Sequence, residues 1–246
     1  MSKDTNRLLV TGIDVGTSKI VTLIASLLDS GEFEIIGVGN VPTRGLRKGI
    51  VVNVDDASLA IRESVEKAER LAGFEIGGAF VNLSGSHIES INNTGVVGVS
   101  GNRGIDEDDI DRALDAARAI VIPHNREVLH IIPRGFTVDG QSGVRSPLGM
   151  HGFRLEVEAH IVTAAKTAMQ NLNKCVENAG VTLDGYVLNA LAAAETVLSD
   201  TEREMGVVVC DIGGGTADLA VFNEGNVWHT SVLGVGGNHL YATVVF

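Results

Sequence analysis

Two stretches of this chain carry one chemical pattern twice. Gly12-Ile13-Asp14-Val15-Gly16-Thr17-Ser18-Lys19-Ile20 lies near the start, and Val209-Cys210-Asp211-Ile212-Gly213-Gly214-Gly215-Thr216-Ala217-Asp218-Leu219 near the end. Each runs apolar, then Asp, one apolar residue, a glycine turn with hydroxyls, then apolar again. That order predicts strand, tight turn, strand. Glycines let the backbone N–H groups of a turn converge on an anion, and the hydroxyls add donors. Asp14 and Asp211, closing the first strand of each pair, are oxygen ligands suited to Mg2+, usually through its water. Two such turns facing each other make a clamp for a nucleotide triphosphate. Lys19 has two readings, a phosphate contact or a solvated strand residue. Asp218 is expected to stabilise its turn through local backbone bonds, and only secondarily to touch a ligand.

The elements that must hold these turns follow from the periodicity. Leu8 to Asp14, Ile20 to Leu28 and Phe33 to Gly39 predict strands, the last two joined by Asp29-Ser30-Gly31-Glu32. Asp55 to Ala72 predicts an amphipathic helix, with Asp55 or Asp56 as cap and Gly73 as stop. Ala79 to Leu83 is a short strand. Then the texture changes. His87 to Ser100 alternates around Asn92-Asn93-Thr94-Gly95 and predicts a hairpin. Asp106 to Val121 predicts a helix, Glu127 to Asp139 and Phe153 to Val162 strands, and Gly140 to Gly152 a loop, giving an inserted β-β-α-β-β block. A helix from Ala164 to Ala179, a strand Leu183 to Leu188, a helix Ala190 to Leu198 and a polar link Ser199 to Met205 lead to the second hairpin. A strand Asn226 to Leu233 and the turn Gly234-Val235-Gly236-Gly237-Asn238-His239 follow, the turn opening a helix. The apolar end Val244-Val245-Phe246 and the few residues beyond the polar link lead us to expect that the rest of a second domain lies outside this chain.

Composition narrows the function classes. At 246 residues the chain can bury a sizeable core. A net charge of −12 argues against a nucleic-acid partner. Cys175 and Cys210 fall in a helical and a strand pattern, which predicts two buried, reduced thiols. The polar start, Met1 to Arg7, is unlike a secretory signal, and the longest apolar run, Ile20 to Leu28, is too short to span a bilayer. The acidic group Asp106 to Asp111 is read as helix capping rather than a cation site. The seven histidines lack metal-ligand spacing.

The paired hairpins resemble those of the actin, hexokinase and 70-kilodalton chaperone superfamily. More narrowly the chain resembles the FtsA family of bacterial cell-division actin homologues, from about Leu8 to His239. Beyond the two turns, the likeness rests on Val128-Leu129-His130-Ile131-Ile132-Pro133, Val138-Asp139-Gly140-Gln141, Arg154-Leu155-Glu156-Val157 and Asn173-Lys174-Cys175-Val176, and on where the inserted block falls. The resemblance implies an α/β, actin-like (ribonuclease H-like) fold. Its parts would be domain 1A in two pieces (1–84 and 164–204), a small α+β insertion of the SHS2 type, called 1C (85–163), and the start of domain 2A (205–246).

It further implies ATP with Mg2+ as cofactors. Asp14 and Asp211 would orient the cation and its waters. Gly12, Gly16, Thr17, Ser18 and Lys19 would lie on one side of the phosphates, and Gly213, Gly214, Gly215 and Thr216 on the other. Gly236 and Gly237 would sit beside the nucleotide. Implied partners are FtsZ, through a site outside this chain, other copies in filaments, other division proteins through 1C, and the inner face of the cytoplasmic membrane through a C-terminal helix outside this chain. The superfamily's water-positioning Gln or Glu aligns with Ala190, which cannot hold water, so hydrolysis is expected to be slow. Two alternatives remain open, a pilus-assembly (PilM-like) scaffold of the same fold and a small-molecule kinase. For the kinase, neither a catalytic acid nor a sugar loop is legible.

Overall fold

The computed structural model describes residues 8–100, 103–119 and 122–239. The chain begins with an antiparallel meander of β1 (Leu9–Val15), β2 (Lys19–Leu27) and β3 (Phe33–Pro42). Alternation decides which face is covered: Ile20, Thr22, Ile24 and Ser26 of β2 are buried, while Leu23 between them is exposed. A two-stranded ribbon, β4 (Leu46–Arg47) and β5 (Ile50–Val51), leads into α1 (Val54–Ala72). The cap of α1 is Asn53, whose Oδ1 accepts from the N–H groups of Asp55 and Asp56 at 3.0 and 3.2 Å; those aspartates occupy the first turn instead. Gly73 closes the helix at φ 84°. Helix α1 lies flush on β3, where a Cβ on Gly39 would stand 1.8 Å from the Ser64 carbonyl oxygen. Strand β6 (Gly78–Leu83) then pairs in parallel with β1.

The inserted block follows as β7 (Glu89–Gly98), α2 (Glu107–Arg118), β8 (Arg126–Val138), β9 (Gln141–Val144) and β10 (Arg154–Ala165), in sheet order β7-β10-β8-β9. This corrects the expected β-β-α-β-β order. Asn92 to Gly95 form no turn but continue β7, paired with β10 from Glu89↔Thr163 to Gly98↔Arg154. The loop expected after Asp139 instead opens with β9, which pairs back on β8. Asp106 caps α2 in a reciprocal capping box with Asp109, and buried Asp109 pairs with Arg103 and Arg112. The acidic group is thus a cap; the helix's predicted end at Val121 lies outside the described residues.

Strand β10 runs directly into α3 (Lys166–Asn178), and β11 (Thr182–Leu188) completes the first sheet in the order β11-β6-β1-β2-β3. Helix α4 (Asn189–Val197) follows. The expected polar link is a short helix, α5 (Asp200–Met205), with its own capping box between Ser199 and Glu202. A third sheet of β12 (Val207–Ile212), β13 (Ala217–Asn223) and β14 (Asn226–Leu233) ends the regular structure. Cys175 is buried as expected, but Cys210 is exposed, because it alternates with buried Val209 on β12. No helix among the described residues is long and apolar enough to cross a membrane.

Among the described residues three apolar cores result, one against each of the three larger sheets. Strand β10 serves two of them: Leu155, Val157, Ala159 and Ile161 belong to the inserted core, Val162 and Ala164 to the first. Its register against β8 shifts at Glu158/Ala159 and again at Val162/Thr163. The inserted sheet is also fastened to β14. Buried His160 contacts Asn92 Oδ1 through Nδ1 at 2.7 Å and Thr230 Oγ1 through Nε2 at 2.9 Å. Ser90 Oγ donates to the Thr230 carbonyl at 2.8 Å, and the Arg134 guanidinium lies 4.4 Å from the Trp228 ring centroid.

Candidate functional site

The two glycine turns are built alike. The Gly16 N–H donates to the Lys19 carbonyl at 3.1 Å, and the Gly213 N–H to the Thr216 carbonyl at 2.9 Å. They also meet. A Cβ on Gly214 would stand 1.9 Å from Ser18 Oγ, and one on Gly215 2.7 Å from Thr17 Cγ2. Glycine lets the two turns stand this close with the Ser18 and Thr17 side chains undisplaced. Behind the second turn, the N–H groups of Gly237 and Asn238 donate to the carbonyls of Gly213 and Gly214 at 2.8 and 3.0 Å. Gly236 and Gly237 therefore pack against the second turn and help hold it. The residues after Gly236 are helical to His239, and the rest of that predicted helix lies outside the described residues.

Between the turns is a cavity of about 350 Å3, lined by Asp14, Gly16, Thr17, Ser18, Lys19, Asp211, Gly213, Gly214 and Thr216. Gly12 does not reach it. It sits within β1 and lines an adjoining, more apolar hollow of about 460 Å3 that shares Asp14, Lys19, Asn82, Asn189 and Asp211 with the first and extends past Leu23, Phe80 and Val187.

Four residues of the cavity were not singled out from sequence: Gly49, Asn82, Ser84 and Asn189. The Gly49 N–H donates to Thr17 Oγ1 at 3.1 Å, so the β4–β5 ribbon steadies the first turn. Asn82 on β6 donates through Nδ2 to Asp14 Oδ1 at 2.6 Å and to Asn189 Oδ1 at 3.1 Å. Asn189, first residue of α4, donates to Asp211 Oδ2 at 2.8 Å. Ala190, aligned with the superfamily's water-positioning residue, is buried in the third core, and its neighbour Asn189 lines the cavity. The one sequence signal for Asn82 is a polar side chain inside the apolar run Ala79-Phe80-Val81-Asn82-Leu83.

The electrostatics favour a cation. Burial pushes the Asp14 carboxyl above its ordinary range and the Asp211 charge adds to it, against Lys19 and Asn82, which lower it. Asp218 is buried and accepts from Ser84 Oγ at 2.9 Å, reaching across to the first unit. Burial pushes its carboxyl up to about 6, against Ser84 and Thr216 of its own turn, which lower it. No group of three or more His, Cys, Asp or Glu among the described residues could hold a metal by itself. A cation here would have two carboxylates and would complete its shell with water and phosphate oxygen. That donor set suits Mg2+, and the backbone cradle of Gly213 and Gly214 suits a phosphate.

Comparisons with known proteins bear on the fold and the relatives of the chain. Residues 85–163 match the family model described as the SHS2 domain inserted in FTSA, and 161–243 match that of ethanolamine utilisation protein EutA. The cell division protein FtsA of Pseudomonas aeruginosa is 43% identical over 232 residues, covering 94% of this chain and 55% of that protein. The FtsA of Bacillus subtilis is 39% identical over 236 residues, covering 96% and 53%, and that of Escherichia coli K12 34% identical over 246, covering 100% and 58%. The chain thus spans a little over half the length of these relatives. Among solved structures, the PilM–PilN type IV pilus biogenesis complex superposes with a TM-score of 0.70 at 16% identity, covering 97% of this chain and 65% of the other. The ethanolamine utilisation protein EutJ of Carboxydothermus hydrogenoformans gives 0.53 at 18%, covering 98% and 57%. These likenesses show the actin-like fold, and the sequence identities make the chain, over the part of its relatives that it spans, similar to the FtsA proteins.

Proposed function

We propose that this chain binds ATP with Mg2+ between its two glycine turns and contributes that site to a cell-division assembly protein. The observation that carries this is the convergence of both turns and both aspartates on one cavity. The backbone N–H groups of the turns, with Thr17, Ser18 and Thr216, hold phosphate oxygens, and Lys19 adds a positive charge. Gly12 belongs to the strand that aims Asp14, and Gly215, Gly236 and Gly237 keep the second turn in place. Asp14 and Asp211 hold the cation through its waters. Mg2+ would neutralise the phosphates and the two carboxylates together. Asn189 is a neutral amide already committed to Asp211, so it cannot take a proton from water, and hydrolysis is slow.

The proposed division is 1A (1–84 and 164–204), 1C (85–163) and the start of 2A (205–246). The whole protein, in this proposal, polymerises, links the FtsZ ring to the inner face of the cytoplasmic membrane and recruits later division proteins through 1C. No nucleic acid takes part. A calorimetric titration with ATP, with and without Mg2+, tests the site. Asp14→Ala and Asp211→Ala are each expected to weaken Mg2+-dependent binding by about tenfold or more, with the fold retained. Unchanged affinity in both variants would overturn the assignment.

A further inference from the structure

Asp14 and Asp211 belong to different sheets, yet they are joined side chain to side chain. The Val15 N–H donates to Asn82 Oδ1 at 2.6 Å, which fixes the orientation of that amide. Its Nδ2 must then face Asp14 Oδ1 and Asn189 Oδ1, at 2.6 and 3.1 Å. With its oxygen so engaged, Asn189 can only present Nδ2 to Asp211 Oδ2, at 2.8 Å. The result is one line of donors, in which every amide orientation descends from a single backbone N–H. Neither amide comes from a glycine turn: Asn82 stands on β6 and Asn189 opens α4.

We propose that Asn82 and Asn189 are positioning residues that act in series, holding the two carboxylates at the spacing a Mg2+–nucleotide complex requires. This rests on the ATP and Mg2+ assignment above. One oxygen of each carboxylate is bound by an amide hydrogen, which limits its rotation and spreads its charge. The relay also crosses from the first sheet to the third. Cation binding therefore draws on the relative placement of the two sheets as well as on the turns.

The readout is the ratio of ATP affinity with Mg2+ to that without, by calorimetry, together with the melting temperature of the nucleotide-free protein. The Asn189 side chain bonds to the side chains of Asn82 and Asp211, so Asn189→Ala keeps the fold and is the cleaner variant. It is expected to lower the ratio by about tenfold at an unchanged melting temperature. Asn82→Ala is expected to lower the ratio similarly, with a lower melting temperature because Val15 loses its acceptor. In a series the double variant is no worse than either single one. A ratio unchanged in Asn189→Ala, or losses that multiply in the double variant, would overturn the relay while leaving the nucleotide site standing. If the unaltered chain shows no enhancement of ATP affinity by Mg2+, the nucleotide assignment falls and the relay with it.

Discussion

Val21 faces Asp14 across the first hairpin, whereas Asp218 faces Asp211 across the second. The twin turns therefore differ by one buried carboxyl. Burial raises Asp218 from 3.8 to about 6, against the Ser84 hydroxyl that lowers it. The native state holds this proton more tightly than the unfolded chain does. Its contribution to stability is complete below the unfolded value and is lost as pH rises through about 6. Asp218→Asn keeps an acceptor for Ser84 and removes the charge. It is expected to stabilise the nucleotide-free protein by about 1–3 kcal/mol at pH 7 and to be neutral near pH 4. Denaturant unfolding at both pH values checks this, and a gain of equal size at both would refute the buried charge as its cause. At this scale Asp14 and Asp211 were legible because Asp, glycine and hydroxyl recur at fixed spacing. Asn82 and Asn189 were not, because an isolated amide has no spacing and gains its role from a partner 107 positions away.

Gly95 shows why element boundaries were harder to read. Asn-Asn-Thr-Gly has turn chemistry, but here the segment answers to the neighbouring strand on one face and to α2 on the other. Asn92 meets His160, Asn93 Nδ2 donates to the Ala117 carbonyl at 2.7 Å, and Gly95 lies directly beneath α2. A Cβ on Gly95 would stand 1.9 Å from the Ala113 carbonyl oxygen, whereas one on Gly135 of β8 would meet nothing within 4 Å. Gly95→Ala is therefore expected to lift α2 and cost about 2 kcal/mol or more, while Gly135→Ala stays within about 0.5 kcal/mol. Equal effects in denaturant unfolding would remove close packing as the reason for glycine at 95. The strands and helices with clean periodicity, β1, β2, α1 and β6, were found near their observed limits. The short elements β4, β5, β9 and α5 were missed, because two to six residues hold too little pattern to separate from loop.

The three sheets make one molecule through contacts between distant strands. His160 meets Thr230, 70 positions on, and no local pattern announces such a pair. Burial, with the charges of His229 and Arg134, lowers the His160 imidazole from 6.5 to about 4. A neutral ring with its hydrogen on Nδ1 satisfies both partners. The unfolded chain takes up the proton first, so this contribution is present above 6.5 and lost as pH falls toward about 4. His160→Gln keeps polar contacts and cannot titrate. Relative to the unaltered protein it is expected to gain stability as pH falls from 6.5 to 4, because the opposing Asp218 contribution is left uncompensated, and thermal melts across that window check this. Identical profiles would show that His160 does not titrate with unfolding. Because Asp218 acts with the opposite sign over much of the same window, the unaltered protein should show a flatter profile than either variant.

The strand that serves two cores has a geometric consequence. The polypeptide enters the inserted block at Gly85 and leaves it along β10, which passes into α3 without a loop. Beside it, β8 sets Leu129 against the first core, Ile131 against the inserted core and Ile132 against the third. On its exit side the block is therefore joined to the first sheet by continuous strand and helix, so that the placement of the block and that of α3 are linked geometrically through β10.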